Sequence, residues 1–168
     1  QTIIYSDNFT GEDSKGQIGS TNDVSGVDWS IDVTGESFSN SSDFFAVQSG
    51  VFEAQDVNAT VRWTSETFTI SGYTSLSFSF DAKADGDFEA SGDVFDVEIF
   101  IDSNPEVLFS GTVDEALAGD PMLFGSTQLT GNLQTFTKNI SGTGTNAYIR
   151  ITANNNAGSE LYGWDNLT

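Results

Sequence analysis

Acidic side chains are the groups in this chain with the numbers for site chemistry: 25 Asp and Glu stand against 5 Lys and Arg, with no His and no Cys, giving a net charge of -20 over 168 residues. Thiolate and imidazole ligands for zinc, iron or copper are therefore excluded, as are Ser-His-Asp and Cys-His nucleophile systems. Oxygen chemistry remains. A hard cation such as calcium takes about six to eight oxygens and can draw them from distant parts of a chain. Candidate donors lie in Ser6-Asp7-Asn8-Phe9 near the start, at Glu53 and Asp56 in the middle, and in Trp164-Asp165-Asn166 near the end. First and last strands often pair in a sandwich, which would bring Asp7 beside Asp165.

Sugar recognition is a second chemistry open to these residues. It needs a flat aromatic ring beside planar polar side chains. Trp63 flanked by Arg62, and Tyr162 near Glu160, supply those types, with Asn155 in the Asn154-Asn155-Asn156 run as a further polar contact. The competing reading is that Trp29, Trp63 and Trp164, all in strand-like stretches, are core residues. If one is exposed, Trp63 is the choice, because its neighbours Arg62 and Thr64 are polar. Carboxylate pairs can also cleave glycosidic bonds, and Asp96 and Glu98 on one strand face would stand roughly 6.5–7 Å apart. An ordinary solvent-facing strand gives the same spacing, so no catalytic residue is assigned.

The elements that must position these groups are strands. Leu76, Phe78, Phe80 and Ala82 alternate with polar residues, as do Phe95, Val97, Ile99 and Ile101, and Ala147, Ile149, Ile151 and Ala153. Each is the period-2 pattern of a half-buried strand. Shorter candidates run 3–9, 28–33, 44–47, 51–55, 59–63, 67–70, 106–110, 133–140 and 162–167, separated by turns rich in Gly, Ser and Asp. Only 113–118 reads as helix, with Thr112 as N-cap and Glu115 as its capping-box partner. Residues 11–26 read as a long polar loop, of a kind commonly functional or ordered by an ion. The pattern predicts an all-β fold, a two-sheet antiparallel β-sandwich (jelly roll), spanning 1–168 as one domain.

The segments Ile4-Tyr5-Ser6-Asp7-Asn8-Phe9, Gly50-Val51-Phe52-Glu53-Ala54, Trp63-Thr64-Ser65, Gly158-Ser159-Glu160 and Trp164-Asp165-Asn166 resemble the jelly-roll accessory modules of large secreted bacterial proteins. They are similar in outline to calcium-dependent carbohydrate-binding jelly rolls and to MAM-like domains. The resemblance implies a structural calcium near the terminal strands. Asp165 would be the last-strand ligand, Asp7 the first-strand one, and Glu53 or Asp56 the third.

Charge limits the partners. A net charge of -20 repels phosphate backbones and anionic lipid heads, and the five cations are scattered, so neither nucleic acid nor membrane insertion is expected. A start at Gln1-Thr2-Ile3-Ile4 suits a mature N-terminus after signal cleavage, and an end within the last strand suits a monomeric module cut from a longer chain. The expectation is a non-catalytic, secreted or cell-surface calcium-binding module that binds polysaccharide or a cell-surface glycan for a larger enzyme or adhesin. The alternative is a structural or adhesive spacer with calcium and no glycan.

Overall fold

The computed structural model describes residues 2–168. Its strands, in chain order, are β1 (Gly16–Ile18), β2 (Thr21–Asp23), β3 (Ser30–Asp32), β4 (Phe44–Gln48), β5 (Val51–Gln55), β6 (Val57–Thr64), β7 (Phe68–Thr69), β8 (Leu76–Asp85), β9 (Val94–Ile101), β10 (Asn104–Val113), β11 (Met122–Phe124), β12 (Thr127–Gln128), β13 (Gln134–Ile140), β14 (Asn146–Asn155) and β15 (Leu161–Asp165). They form two antiparallel sheets. One has the order β13-β8-β15-β5-β4-β1-β2, the other β12-β11-β10-β9-β14-β6-β3, with β7 attached to β14. This is the antiparallel β-sandwich that the alternation predicts.

Alternation also decides which side chains meet between the sheets. Phe78, Phe80, Ala82 and Ala84 of β8 face inward with Tyr162 and Trp164 of β15 and Phe52 of β5. Phe95, Val97, Ile99 and Ile101 of β9 come from the other sheet, with Ile149 and Ile151 of β14 and Trp63 of β6. Aromatic rings fill much of the space: Phe52 stacks on Trp164 at 4.8 Å, Phe95 on Tyr162 at 4.7 Å, and Phe9 meets Trp63 edge-on at 5.8 Å.

Three sequence expectations are corrected. The 113–118 segment is not a helix: β10 runs through Val113, and the Asp114 carboxylate then accepts the Ala116 N–H at 3.0 Å, closing a turn before Gly119 at positive φ. Local bonding by the Asp side chain has displaced the helical ladder. The 11–26 segment is not an unstructured loop, since β1 and β2 form a hairpin that extends the β4 edge of its sheet. The 3–9 strand contracts to one bridge in which Asp7 and Leu167 exchange backbone hydrogen bonds of 3.0 and 2.8 Å. Phe9, at φ 50°, turns its ring into the core instead of continuing the strand.

Candidate functional site

The four candidate calcium ligands stand beside different neighbours, and Asp165 Oδ1 is buried without a hydrogen-bond partner. Asp7 accepts hydrogen bonds from the Phe9 N–H at 3.1 Å and the Tyr5 hydroxyl at 3.4 Å, and burial pushes its carboxyl up to about 6. Glu53 pairs with Lys83 Nζ at 2.5 Å on the outer side of its sheet. The Lys83 stem crosses Gly163, where a Cβ would stand 2.6 Å from Lys83 Cε. Glu53 therefore already has its counter-charge. Asp56 lies near Asp43, and Asp165 stands opposite Asp81 across β15 and β8; burial raises both, with those neighbouring acids adding to the effect. No three of the four share a site among the described residues.

The expected glycan contacts also divide. Trp63 is fully buried among Phe9, Trp29 and Phe52, and Tyr162 is fully buried between Phe88 and Phe95. Neither ring has a face free for a sugar, which corrects the expectation built on polar sequence neighbours. Inward parity, shared with Val61, outweighs them for Trp63. Asn155 is buried and committed: its amide donates to the carbonyls of Ala54 (2.9 Å) and Glu160 (3.1 Å) and accepts the Val57 N–H (3.2 Å). It fastens β5, β6 and β15 together. Only Arg62 is on the surface, loosely paired with Asp32 at 3.7 Å.

Glu160 belongs to a different constellation. Where the β8–β9 and β14–β15 connections meet at one end of the sandwich, Glu89, Asp93 and Glu160 place carboxylate oxygens within 4.8 Å of one another. Oxygens bound to one calcium at about 2.4 Å can stand no more than about 5 Å apart, so these three could hold a metal ion. Local bonding sets each group. The Glu89 carbonyl accepts the Gly92 and Asp93 N–H groups, and the Asp93 carboxylate accepts the Glu89 N–H at 2.6 Å. Glu160 donates its N–H to the Ala157 carbonyl while its Oε2 accepts the Ala157 N–H at 3.0 Å.

What remains unmet is informative. Glu160 is 0% exposed and Asp93 8%, yet Glu160 Oε1, Asp93 Oδ1 and the neighbouring Tyr162 hydroxyl are all buried without a hydrogen-bond partner. Buried polar atoms are nearly always partnered, and two carboxylates about 4 Å apart repel by roughly 4 kcal/mol even at an effective dielectric of about 20. Burial, then the Asp93 charge, pushes Glu160 up to about 7. Glu89 is raised by its contact with Asp93, and burial together with these acids raises the Tyr162 phenol. A cation would relieve all three effects. Glu89 is exposed and gives the site its opening to solvent.

Gly86 makes room for this arrangement. Its φ of 145° is one that side-chain-bearing residues rarely adopt, and a Cβ there would lie 2.9 Å from both Cα and Cγ of Glu160. Gly86→Ala is expected to cost about 2 kcal/mol in backbone strain alone, lowering the melting temperature by about 4–8 °C in a thermal scan.

No known protein family and no curated protein matches the sequence. Among solved structures the chain is similar to the K3 cleaved adhesin domain of Lys-gingipain from Porphyromonas gingivalis w83, at 10% identity and TM-score 0.49, covering 98% of this chain and 95% of that one. It is also similar to the CBM22-1 xylan-binding domain of Paenibacillus barcinonensis Xyn10C, at 9% identity, 99% and 92% coverage and TM-score 0.43. A family 35 carbohydrate-binding module from an environmental isolate matches at 10% identity, 98% and 91% coverage and TM-score 0.38. These likenesses are structural and distant, and no residue role is carried over from them.

Proposed function

We propose that this chain is a non-catalytic extracellular binding module, ordered at one end of its sandwich by calcium and directed to a polysaccharide or cell-surface glycan. One observation carries the metal half of this reading: Glu160 is completely buried with an oxygen that nothing in the protein satisfies, beside Asp93 in the same condition. Three carboxylates with no sulfur or imidazole make a hard-oxygen donor set, which suits calcium rather than zinc or copper. Three clustered carboxylates attract a divalent ion, whose charge would hold Glu160 ionised, and a partly open sphere accepts water beside Glu89. Such sites in extracellular modules bind calcium with dissociation constants of about 10⁻⁴–10⁻³ M, matched to calcium-rich surroundings.

Assignment to binding rather than turnover rests on the acids themselves. Asp96 accepts the Ser110 hydroxyl at 2.7 Å and the Gly111 N–H at 3.2 Å, which commits it to joining β9 and β10. Of the Asp96–Glu98 pair, one carboxylate is thus already engaged within the sheet through Oδ1.

Terbium, an oxygen-seeking ion close to calcium in size, tests the site directly. Excitation of Tyr162 and the nearby Trp164 is expected to sensitise terbium emission that saturates at one ion, is displaced by calcium and is absent from Glu160→Gln. Terbium emission that is unchanged in Glu160→Gln would place the ion elsewhere and sink this assignment.

A further inference from the structure

The outer face of the eight-stranded sheet holds a second set of unmet polar groups, far from the acidic end in chemistry. Outward-facing residues of β14 include Tyr148, Arg150, Thr152 and Asn154 at every second position, a strip of about 20 Å at roughly 3.3 Å per residue. Arg150 stands directly opposite Glu98 of β9, and Tyr148 opposite Phe100. Opposite charges at such a position ordinarily pair. Here they do not: the Arg150 guanidinium lies over the Phe100 ring at 4.4 Å and 5.6 Å from Tyr148, and no ion pair joins it to Glu98 among the described residues.

The rings themselves are locked. Phe100 and Tyr148 stack at 4.8 Å with planes 5° apart, and a cation seated over such a pair is held in place by the ring quadrupole. This holds the guanidinium in one orientation, with its Nε–H buried and without an acceptor. Along the same strip Asn154 Oδ1 is buried and lacks a donor. Both of these atoms lie beneath the surface, whereas Arg150 and Glu98, adjacent across β14 and β9 and both half-buried, form no ion pair and leave a donor and an acceptor side by side. A hydroxyl is both donor and acceptor, so a chain of hydroxyls can meet the guanidinium and the Glu98 carboxylate together.

Charge selects among hydroxylated ligands. Two arginines, Arg62 and Arg150, are interleaved with the acids Asp32, Asp96 and Glu98 on this face, so it carries no positive excess, and the molecule as a whole is at -20. A polyanion would be repelled at long range, whereas an uncharged polyol would not. We infer that the outer face of the eight-stranded sheet, along β14, binds an uncharged polysaccharide. Arg150 and Glu98 hydrogen-bond its hydroxyls, and the Phe100–Tyr148 stack fixes the guanidinium. The inference rests on the reading of this chain as a glycan-binding module and adds the location and the ligand class.

Affinity electrophoresis through gels containing arabinoxylan, galactomannan, mixed-linkage β-glucan or soluble starch, with polygalacturonate as the acidic comparison, tests it. The wild-type chain is expected to be retarded by at least one neutral polysaccharide and not by polygalacturonate. Arg150→Lys, which keeps the charge but loses the planar guanidinium, and Glu98→Gln are each expected to weaken retardation about tenfold with unchanged thermal melting, the size of loss typical of a single anchoring contact. No retardation of wild type by any polysaccharide would overturn the glycan reading itself. Retardation that survives both variants would overturn only this face as the site, and retardation by polygalacturonate alone would overturn the uncharged class.

Discussion

In excess EGTA the protein is expected to melt about 5–10 °C below its melting temperature in calcium at about a hundred times the dissociation constant. A ligand that binds only the folded state at a hundred times its dissociation constant stabilises by about 2.7 kcal/mol. For a chain of this size each kcal/mol moves the midpoint by about 2–4 °C. Glu160→Gln gives the result its diagnostic shape. Its amide oxygen can still accept the Ala157 N–H, but one of three crowded charges is gone. Without metal the variant is expected to melt above wild type, because repulsion with Asp93 has been removed. In calcium it is expected to melt below wild type, because a ligand has been removed. Two curves that cross in this way cannot come from general destabilisation. Equal midpoints for wild type with and without calcium would defeat the calcium assignment.

The strands that frame this end were readable because each has one face in water and one in the core. In β9 the inward Phe95, Val97, Ile99 and Ile101 alternate with Asp96, Glu98 and Phe100, and β14 repeats the pattern. The β1–β2 hairpin carries no such signal. Its strands are three residues each, mostly polar, and are held by pairing with β4 rather than by a buried stripe. Pairing of the two chain ends was also legible, although it amounts to the single Asp7–Leu167 bridge.

The acidic trio was harder to see. Glu89 and Asp93 sit in turns of Asp, Gly and Ser that read only as turns, and Glu160 lies about 70 residues further on. What joins them is the antiparallel pairing of β9 with β14, which brings Val94 opposite Asn154 and so stacks the two connections. Both strands were recognisable from sequence, but their adjacency was not, because alternation reports which face is buried and says nothing of which strand lies alongside. For the same reason the sequence shows Glu160 beside Tyr162 but not its approach to Glu89 and Asp93.

Trp63→Ala is expected to lower stability by about 3–5 kcal/mol and the melting temperature by about 6–20 °C, the largest effect of any single substitution considered. Trp63 is 0% exposed and touches rings from three other segments of chain, Phe9, Trp29 and Phe52 at 5.8, 6.5 and 6.4 Å, with its own strand held between β3 and β14. Truncation opens a cavity that strands pinned on both sides cannot collapse to fill. Its indole Nε1 is buried without a partner, so Trp63→Phe sacrifices volume but no hydrogen bond and is expected to cost less. Urea denaturation of the two variants checks this order. It also bears on how binding is assayed: with a typical domain stability of about 5–15 kcal/mol, Trp63→Ala can lose glycan binding simply by unfolding. Loss of binding by Trp63→Ala with an unchanged denaturation midpoint would return Trp63 to the surface as a ligand platform. Loss that tracks unfolding, beside loss in Arg150→Lys at full stability, separates the core from the binding face.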